Sequence, residues 1–283
     1  MNAGDWLQRL VGQPRPRTAR RWERASTLAL VALLLGYANG DAWRYARRGQ
    51  SLSAETNFTH LGVLGLVLAW AACERLGLRE LGLGREGLGR GLLWGLLLGL
   101  LGAVPICTFF AFPVVSRRAV THPEYVGVSR GRLLWLITGQ FLVGSAVFEE
   151  MVFRGVLHAK LLRLMSPGRA LLAGSAVFAA WHVVITWYNL GRSTLPRALF
   201  PLLYIGALAA LYVGGLLFGL VRQATGHVAG AIVAHWVMVA AIVLSVARPW
   251  VVRARIAELA PGVEEAAERA AVAIHTMDQA ADA

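Results

Sequence analysis

Charged residues are scarce in this sequence. They make up 16% of its 283 residues, whereas hydrophobic residues make up 57% and the mean hydropathy is +0.55. A soluble domain of this length typically carries about 25% charged residues. The few charges stand in short stretches between long apolar runs, as in proteins that cross a membrane several times. The sequence therefore predicts an all-α, polytopic integral membrane helix bundle.

Cysteine and lysine are nearly absent. The two cysteines, Cys73 and Cys107, lie in apolar runs and have neither the spacing of a zinc site nor the number that a disulfide framework needs. One lysine, Lys160, accompanies 27 arginines, and the net charge is +12. Because the arginines flank apolar runs, we interpret this charge as contact with lipid headgroups, with no nucleic acid as partner. The arginine bias is typical of a GC-rich bacterial genome and favours a bacterial inner membrane.

Familiar signatures of hydrolytic enzymes are scarce as well. The sequence contains no His-Glu-x-x-His segment, so a zincin-type site is not expected. No aspartate lies in the middle of an apolar run, which excludes a pair of catalytic aspartates within the membrane. We also expect no serine nucleophile elbow. Chemistry inside the membrane would have to use other side chains.

The apolar runs set the organisation of the chain. A helix needs about 20 residues to cross the hydrocarbon core, and we predict seven spans, the fourth of which is long enough to continue as a partly polar helix. Dense arginine predicts that the basic segment 1–24 is cytoplasmic, and the Ala- and Glu-rich tail 256–283 is expected to be solvated. The N-terminal transmembrane part, 25–132, contains the runs at 25–42, 57–74 and 91–115. The second part, 133–247, contains the runs at 133–163, 170–189, 198–221 and 227–247.

Glycine recurs every four residues in two of the runs. Gly91, Gly95 and Gly99 form one such series, and Gly215 and Gly219 form another. Small residues at this spacing line one face of a helix and let a neighbouring helix approach closely in lipid. We interpret both series as packing surfaces.

Glu149 and Glu150 are the two acidic residues that lie inside a long apolar run. A single charge at the centre of a membrane helix costs about 2.5 to 3.5 kcal/mol on insertion scales, so two adjacent acids require a reason. Arg154 follows Glu150 by four residues and shares its helix face, which predicts a buried ion pair. Glu149 points about 100° away and is left to face something else.

Two histidines lie deep in other apolar runs, His182 in the fifth and His235 in the seventh. With Glu149 and Glu150 they predict one shared polar site across three helices. A buried carboxylate can act as a general base, and imidazoles can orient water or stabilise an oxyanion, a set that suits amide hydrolysis in the membrane. Two His and two Glu could also bind a metal, although we expect no cofactor. No role is assigned to the other histidines that lie at run edges, in loops or in the tail, which are His60, His122, His227 and His275.

Three short motifs carry a resemblance to a known family. Glu149-Glu150-Met-Val-Phe-Arg154 has the form E-E-x-x-x-R, Phe178-Ala-Ala-Trp-His182 has the form F-x-x-x-H, and His235 is followed four residues later by Val239. In this order the motifs resemble those of the CPBP family, the CAAX and bacteriocin-processing intramembrane proteases. The resemblance covers about residues 133–247. Val239 departs from the family pattern, which has Asn or Asp there.

The resemblance implies a glutamate-type intramembrane endopeptidase without a metal. It implies that Glu149, Glu150, His182 and His235 are catalytic and that Arg154 and Phe178 support them. Its substrate would be a membrane-associated protein or peptide, including the C-terminal sorting tails that myxosortase-like branches process, and membrane lipid would surround it. The motifs predict no oligomeric state.

Two interpretations from other classes stay open. A transporter or channel would also keep buried Glu, Arg and His, as a path for protons or ions. A catalytically inactive membrane scaffold or immunity protein would keep the helices and lose the chemistry, and Val239 is the residue that favours it, because valine forms no side-chain hydrogen bond.

Overall fold

The computed structural model describes residues 21–48, 54–111, 122, 125 and 128–247. The expectations for the solvated tail 256–283 and for all but four residues of the basic segment 1–24 fall outside the described residues. Within them the chain is helical and contains no strand. We number the main helices α1 to α8, and they are α1 Arg21–Arg48, α2 Ala54–Cys73, α3 Leu88–Ala111, α4 Arg130–Leu164, α5 Pro167–Trp181, α6 Val183–Arg192, α7 Phe200–Thr225 and α8 Ala229–Ala247.

The helices follow the seven apolar runs. Five of those described, α1, α3, α4, α7 and α8, are long and apolar enough to cross a membrane. The pair α5 and α6 passes the same test only when taken together, and it is bent by 45°. The apolar part of α2 is shorter. The predicted all-α polytopic membrane bundle is confirmed, and seven crossings remain a prediction.

The first glycine series packs α3 against α8. A Cβ atom added at Gly95 would lie 2.3 Å from the carbonyl oxygen of Gly230, and one added at Gly99 would lie 2.8 Å from Cβ of Val237. A Cβ at Gly91 would lie 3.4 Å from the backbone nitrogen of Gly230, an ordinary contact distance. A side chain at Gly95 or Gly99 would push the helices apart, so the predicted packing surface is confirmed.

The second glycine series packs α7 against α5. A Cβ at Gly219 would lie 2.3 Å from Cδ1 of Leu171, and one at Gly215 would lie 3.1 Å from Cβ of Ser175. The close approach brings the backbone of α7 next to side chains that project from α4.

Helix α4 is not a uniform α-helix. Its segments Leu136–Val147 and Met151–Leu157 are wound as π-helix, with one short α-helical segment, Phe148–Glu150, between them. In a π-helix each hydrogen bond joins residues that are five apart, and such segments are frequent at functional sites. The two acidic residues therefore stand where the winding changes. Around them lies the main apolar core, formed by residues of α1, α2, α4 and α5 such as Leu30, Leu34, Val67, Phe148, Val152 and Phe178.

A buried ion pair between Lys160 and Glu74 lies beside this core, at the end of α2. Nζ of Lys160 contacts Glu74 and donates to the hydroxyl of Ser26 at 3.0 Å, and Nε1 of Trp70 donates to Glu74 at 2.7 Å. Burial alone would raise the pKa of Glu74, but the hydrogen bonds from Lys160, Ser26 and Trp70 hold that pKa below its ordinary value. Lys160 thus joins α4 to α1 and to the end of α2, a contact that its position in the sequence does not reveal.

Candidate active site

Glu150 lies at the centre of a buried ion cluster. Its Oε1 atom is 3.0 Å from Nη1 of Arg154 and 2.8 Å from Nδ1 of His235. Its relative exposure is 0%, so these two donors replace water at Oε1, whereas Oε2 has no hydrogen-bond partner among the described residues. The pairing of Glu150 with Arg154 that their spacing predicts is present, and His235 extends the cluster from α4 to α8.

The guanidinium of Arg154 is held on several sides. Nη2 donates to the carbonyl of Gly215 at 3.1 Å, and the group lies 4.2 Å from the ring centre of Phe178 and 5.3 Å from that of Phe218. A planar, always charged guanidinium can stack on rings and donate at its edge at the same time, which a lysine cannot. Gly215 permits the approach, because a Cβ there would lie 3.3 Å from Nη2.

Glu149 faces another helix. Its Oε2 atom lies 3.4 Å from Nε2 of His182, and its Oε1 atom accepts a hydrogen bond from the hydroxyl of Ser145 at 3.0 Å. Glu149 is buried, with 6% exposure, and Oε2 accepts no ordinary hydrogen bond within the described part of the chain. The acid that Arg154 leaves unpaired therefore has one oxygen held by Ser145 and the other beside a histidine.

The geometry of His182 fixes its tautomer. Nδ1 lies 2.8 Å from the carbonyl oxygen of Phe178, and a carbonyl oxygen only accepts hydrogen bonds. Nδ1 therefore carries a proton, and Nε2 is the ring atom that faces Glu149. If Nε2 carried no proton and Glu149 were ionised, the lone pairs of Nε2 and Oε2 would repel each other. The contact is therefore most favourable when one proton lies on either Nε2 or Oε2, in addition to the proton on Nδ1.

The ring of Phe178 separates and supports the two Glu-His pairs. Its centroid lies 4.6 Å from the ring of His182 and 6.1 Å from that of His235, both edge to face. Arg154 covers the face of the same ring. The structure therefore brings together all six residues of the predicted site, which lie on α4, α5 and α8 or at the break that follows α5.

Val239 lies one turn after His235 on α8 and packs with apolar residues. It packs against the buried cluster of Leu133, Val243 and Ala247, as Ile137 and Phe141 of α4 do. This position supplies no hydrogen-bonding group to the site.

Sequence analysis missed some residues around Glu149. His60, on α2, stacks its ring on that of Phe148 with centroids 4.5 Å apart, and its Nδ1 lies 2.7 Å from the carbonyl oxygen of Gly144. No pattern could reveal this contact across 84 residues of sequence. Ser145 was detectable, because it precedes Glu149 by four residues.

One segment has the sequence pattern of a serine nucleophile elbow, although no such elbow is expected. A Gly-x-Ser-x-Gly segment does occur, at residues 127–131. Its serine, Ser129, caps the N-terminus of α4 by accepting a hydrogen bond from the backbone N–H of Arg132 at 3.2 Å. A nucleophile elbow joins a strand to a helix, and no strand precedes Ser129 among the described residues.

Among the described residues, no three His, Cys, Asp or Glu side chains are placed to hold a metal ion.

The comparison with protein families matches the part of the chain that carries the site. Residues 131–241 match the family described as type II CAAX prenyl endopeptidase Rce1-like. This part of the chain is therefore similar to an Rce1-like domain of a protease family, and the predicted resemblance to CPBP intramembrane proteases is confirmed. No curated protein and no solved structure matches the chain.

Proposed function

We propose that this protein is an intramembrane endopeptidase in which Glu149 activates a water molecule. The observation that carries the proposal is the contact of Glu149 with His182, inside a helix bundle and within a protease-family domain. Glu150 forms ion pairs with Arg154 and His235 through Oε1, whereas Glu149 pairs with no arginine among the described residues and is therefore the acid that we assign to accept a proton.

The pair can supply a base and an acid at once. In the charged form of the pair, Glu149 is ionised and Nε2 of His182 carries a proton. Glu149 takes a proton from water as the water oxygen attacks the scissile carbonyl carbon, and Nε2 gives its proton to the leaving amide nitrogen as the C–N bond breaks. The products are a carboxylic acid and an amine. A proton then returns from Glu149 to Nε2, across 3.4 Å, and restores the pair.

His235 has a separate part in the proposed mechanism. Its Nδ1 is engaged by Glu150, so Nε2 is the atom left to meet a substrate. A carboxylate at Nδ1 favours the protonated ring, and a protonated Nε2 would donate to the negative oxygen of the tetrahedral intermediate. Arg154 keeps Glu150 in place for this role.

The substrate in this proposal is a membrane-associated protein or peptide, since the site lies among membrane helices. The family description names prenylated CAAX proteins, and a farnesylated peptide is therefore the first probe. We place the protein in a bacterial inner membrane with a cytoplasmic N-terminus, following the arginine distribution.

The test compares Glu149→Gln with the wild type, both purified at full length in detergent and given farnesylated and unprenylated peptides. Glutamine keeps the shape but accepts no proton, so the rate should fall by at least about 10²-fold with folding unchanged. Glu86→Gln is the matched control, because Glu86 is exposed and lies outside the site. Phenanthroline should leave the rate unchanged if no metal takes part.

A second comparison covers substrates that the peptides do not represent. Mass spectrometry of membrane proteins from cells with wild-type protein should show cleaved termini that are absent with Glu149→Gln. Identical termini in both strains would sink the proposal and favour the inactive scaffold, for which Val239 is the specific observation. Ion flux into liposomes would instead favour the transporter.

A further inference from the structure

The helix that carries His182 is broken at that residue. Helix α5 ends at Trp181 and α6 begins at Val183, with a bend of 45° between them. Bends of this size have identifiable causes, one of which is a side chain inserted between the N–H and C=O groups of the helix. Proline, the usual cause, is absent from the break.

The inserted side chain is that of Asn39, from α1. Its Nδ2 donates to the carbonyl of Ala180 at 3.1 Å, and its Oδ1 accepts from the backbone N–H of Val184 at 3.1 Å. In a continuous α-helix, Val184 would donate to Ala180 directly. The amide of Asn39 thus takes the place of that missing helical bond and satisfies both of its ends. A further bond from Nδ2 to the carbonyl of Leu35, also 3.1 Å, fixes the orientation of the amide.

The break has a direct effect on His182. Its backbone N–H donates to the carbonyl of Ala179, three residues back, at 3.1 Å. The carbonyl of Phe178, which a regular helix would pair with that N–H, is left for the imidazole, whose Nδ1 takes it at 2.8 Å. This bond sets the tautomer and turns Nε2 toward Glu149.

We propose that Asn39 is a positioning residue for His182, acting by holding open the helix break between α5 and α6. Its side-chain hydrogen bonds within the described part of the chain go to Leu35, Ala180 and Val184, and it therefore acts on His182 through the backbone between Phe178 and Val184. Its importance for catalysis rests on the proposed protease function, whereas its effect on the His182 ring does not.

The first variant is Asn39→Leu, which has a similar volume and loses all three hydrogen bonds. We expect kcat to fall by about 10²-fold, the size of effect known for small misplacements of reacting groups. KM should change little, because Asn39 is not part of the substrate site. Asn189→Leu is the matched control, since it makes the same substitution on α6 away from the break.

The second measurement is the ¹⁵N spectrum of the histidine rings in the full chain in detergent micelles, with the His182 signals assigned by their loss in His182→Gln. Wild type and Asn189→Leu should show His182 with a proton on Nδ1. Asn39→Leu should lose that signature, because the ring no longer has the carbonyl of Phe178 as its fixed partner. A residue that merely joined two helices would leave the ring signal unchanged.

Asn39→Asp is a second variant that keeps the proposal testable if Asn39→Leu does not fold. Aspartate still accepts from Val184 but donates to neither Ala180 nor Leu35, so a smaller loss of kcat and a partial shift of the His182 signals are expected. Wild-type His182 signals in the folded variants would overturn the proposal. If the ring signal shifts in Asn39→Leu but the wild-type chain cleaves no substrate in either assay, the role of Asn39 stands and the protease function is rejected.

Discussion

The ion cluster around Glu150 allows a quantitative prediction for Arg154→Ala. The substitution removes one of the two donors to a carboxylate that has no exposed surface, and it leaves the carbonyl of Gly215 without its partner. Breaking a buried pair by removing one member typically costs about 3 to 5 kcal/mol, because the remaining charge stays buried. We expect a loss of that size in the free energy of unfolding, together with a lower yield of folded protein.

The assay is unfolding of the purified protein in mixed detergent micelles, followed by tryptophan fluorescence. Arg79→Ala is the matched control, since Arg79 pairs with Glu86 on the exposed surface and such pairs contribute little. The double variant Arg154→Met with Glu150→Gln removes both charges, and it should recover much of the lost stability. An Arg154→Ala variant as stable as Arg79→Ala would refute the view that Glu150 depends on this pair.

Three more predictions follow from other parts of the structure. Val239→Asn restores the residue that the family pattern has, and turnover measured with the same peptides should rise if the missing amide limits the reaction; no change would mean that another group already fills that role. Gly95→Leu should abolish folding, seen as loss of a monodisperse peak in size-exclusion chromatography, because even a Cβ would lie 2.3 Å from Gly230. The stabilising effect of Glu74 is measured as the difference in melting temperature between the wild type and Glu74→Gln. This difference should be complete above the ordinary carboxyl pKa of 4.5 and should vanish as the pH falls through the lowered pKa of Glu74 in the folded protein. A difference that persists at low pH would contradict the ion pair with Lys160.

The sequence was sufficient for the features that depend on local spacing. The apolar runs located the helices, the glycine series located two packing surfaces, and the interval of four residues located the pair of Glu150 and Arg154. The burial of His235 and the partial burial of His182 followed from their apolar surroundings. These properties are periodic along one helix, so a single chain displays them.

Contacts between distant helices could not be read in the same way. Asn39, His60 and Lys160 each meet partners more than 80 residues away, and no interval in the sequence records which helices will be neighbours. The π-helical winding of α4 was also unforeseen, because the apolar pattern of a long hydrophobic helix does not fix the number of residues per turn. The arrangement that turns His182 toward Glu149 therefore emerges only with the tertiary fold.

The glycine contact between α3 and α8 has a consequence for how a substrate could reach Glu149 from the lipid. Lateral access requires two neighbouring helices to separate, and separation costs most where backbones touch without intervening side chains. At Gly95 and Gly230 the two backbones meet in this way, and α8 also carries His235. We therefore expect α3 and α8 to stay together, and under the proposed function a substrate would enter between other helices.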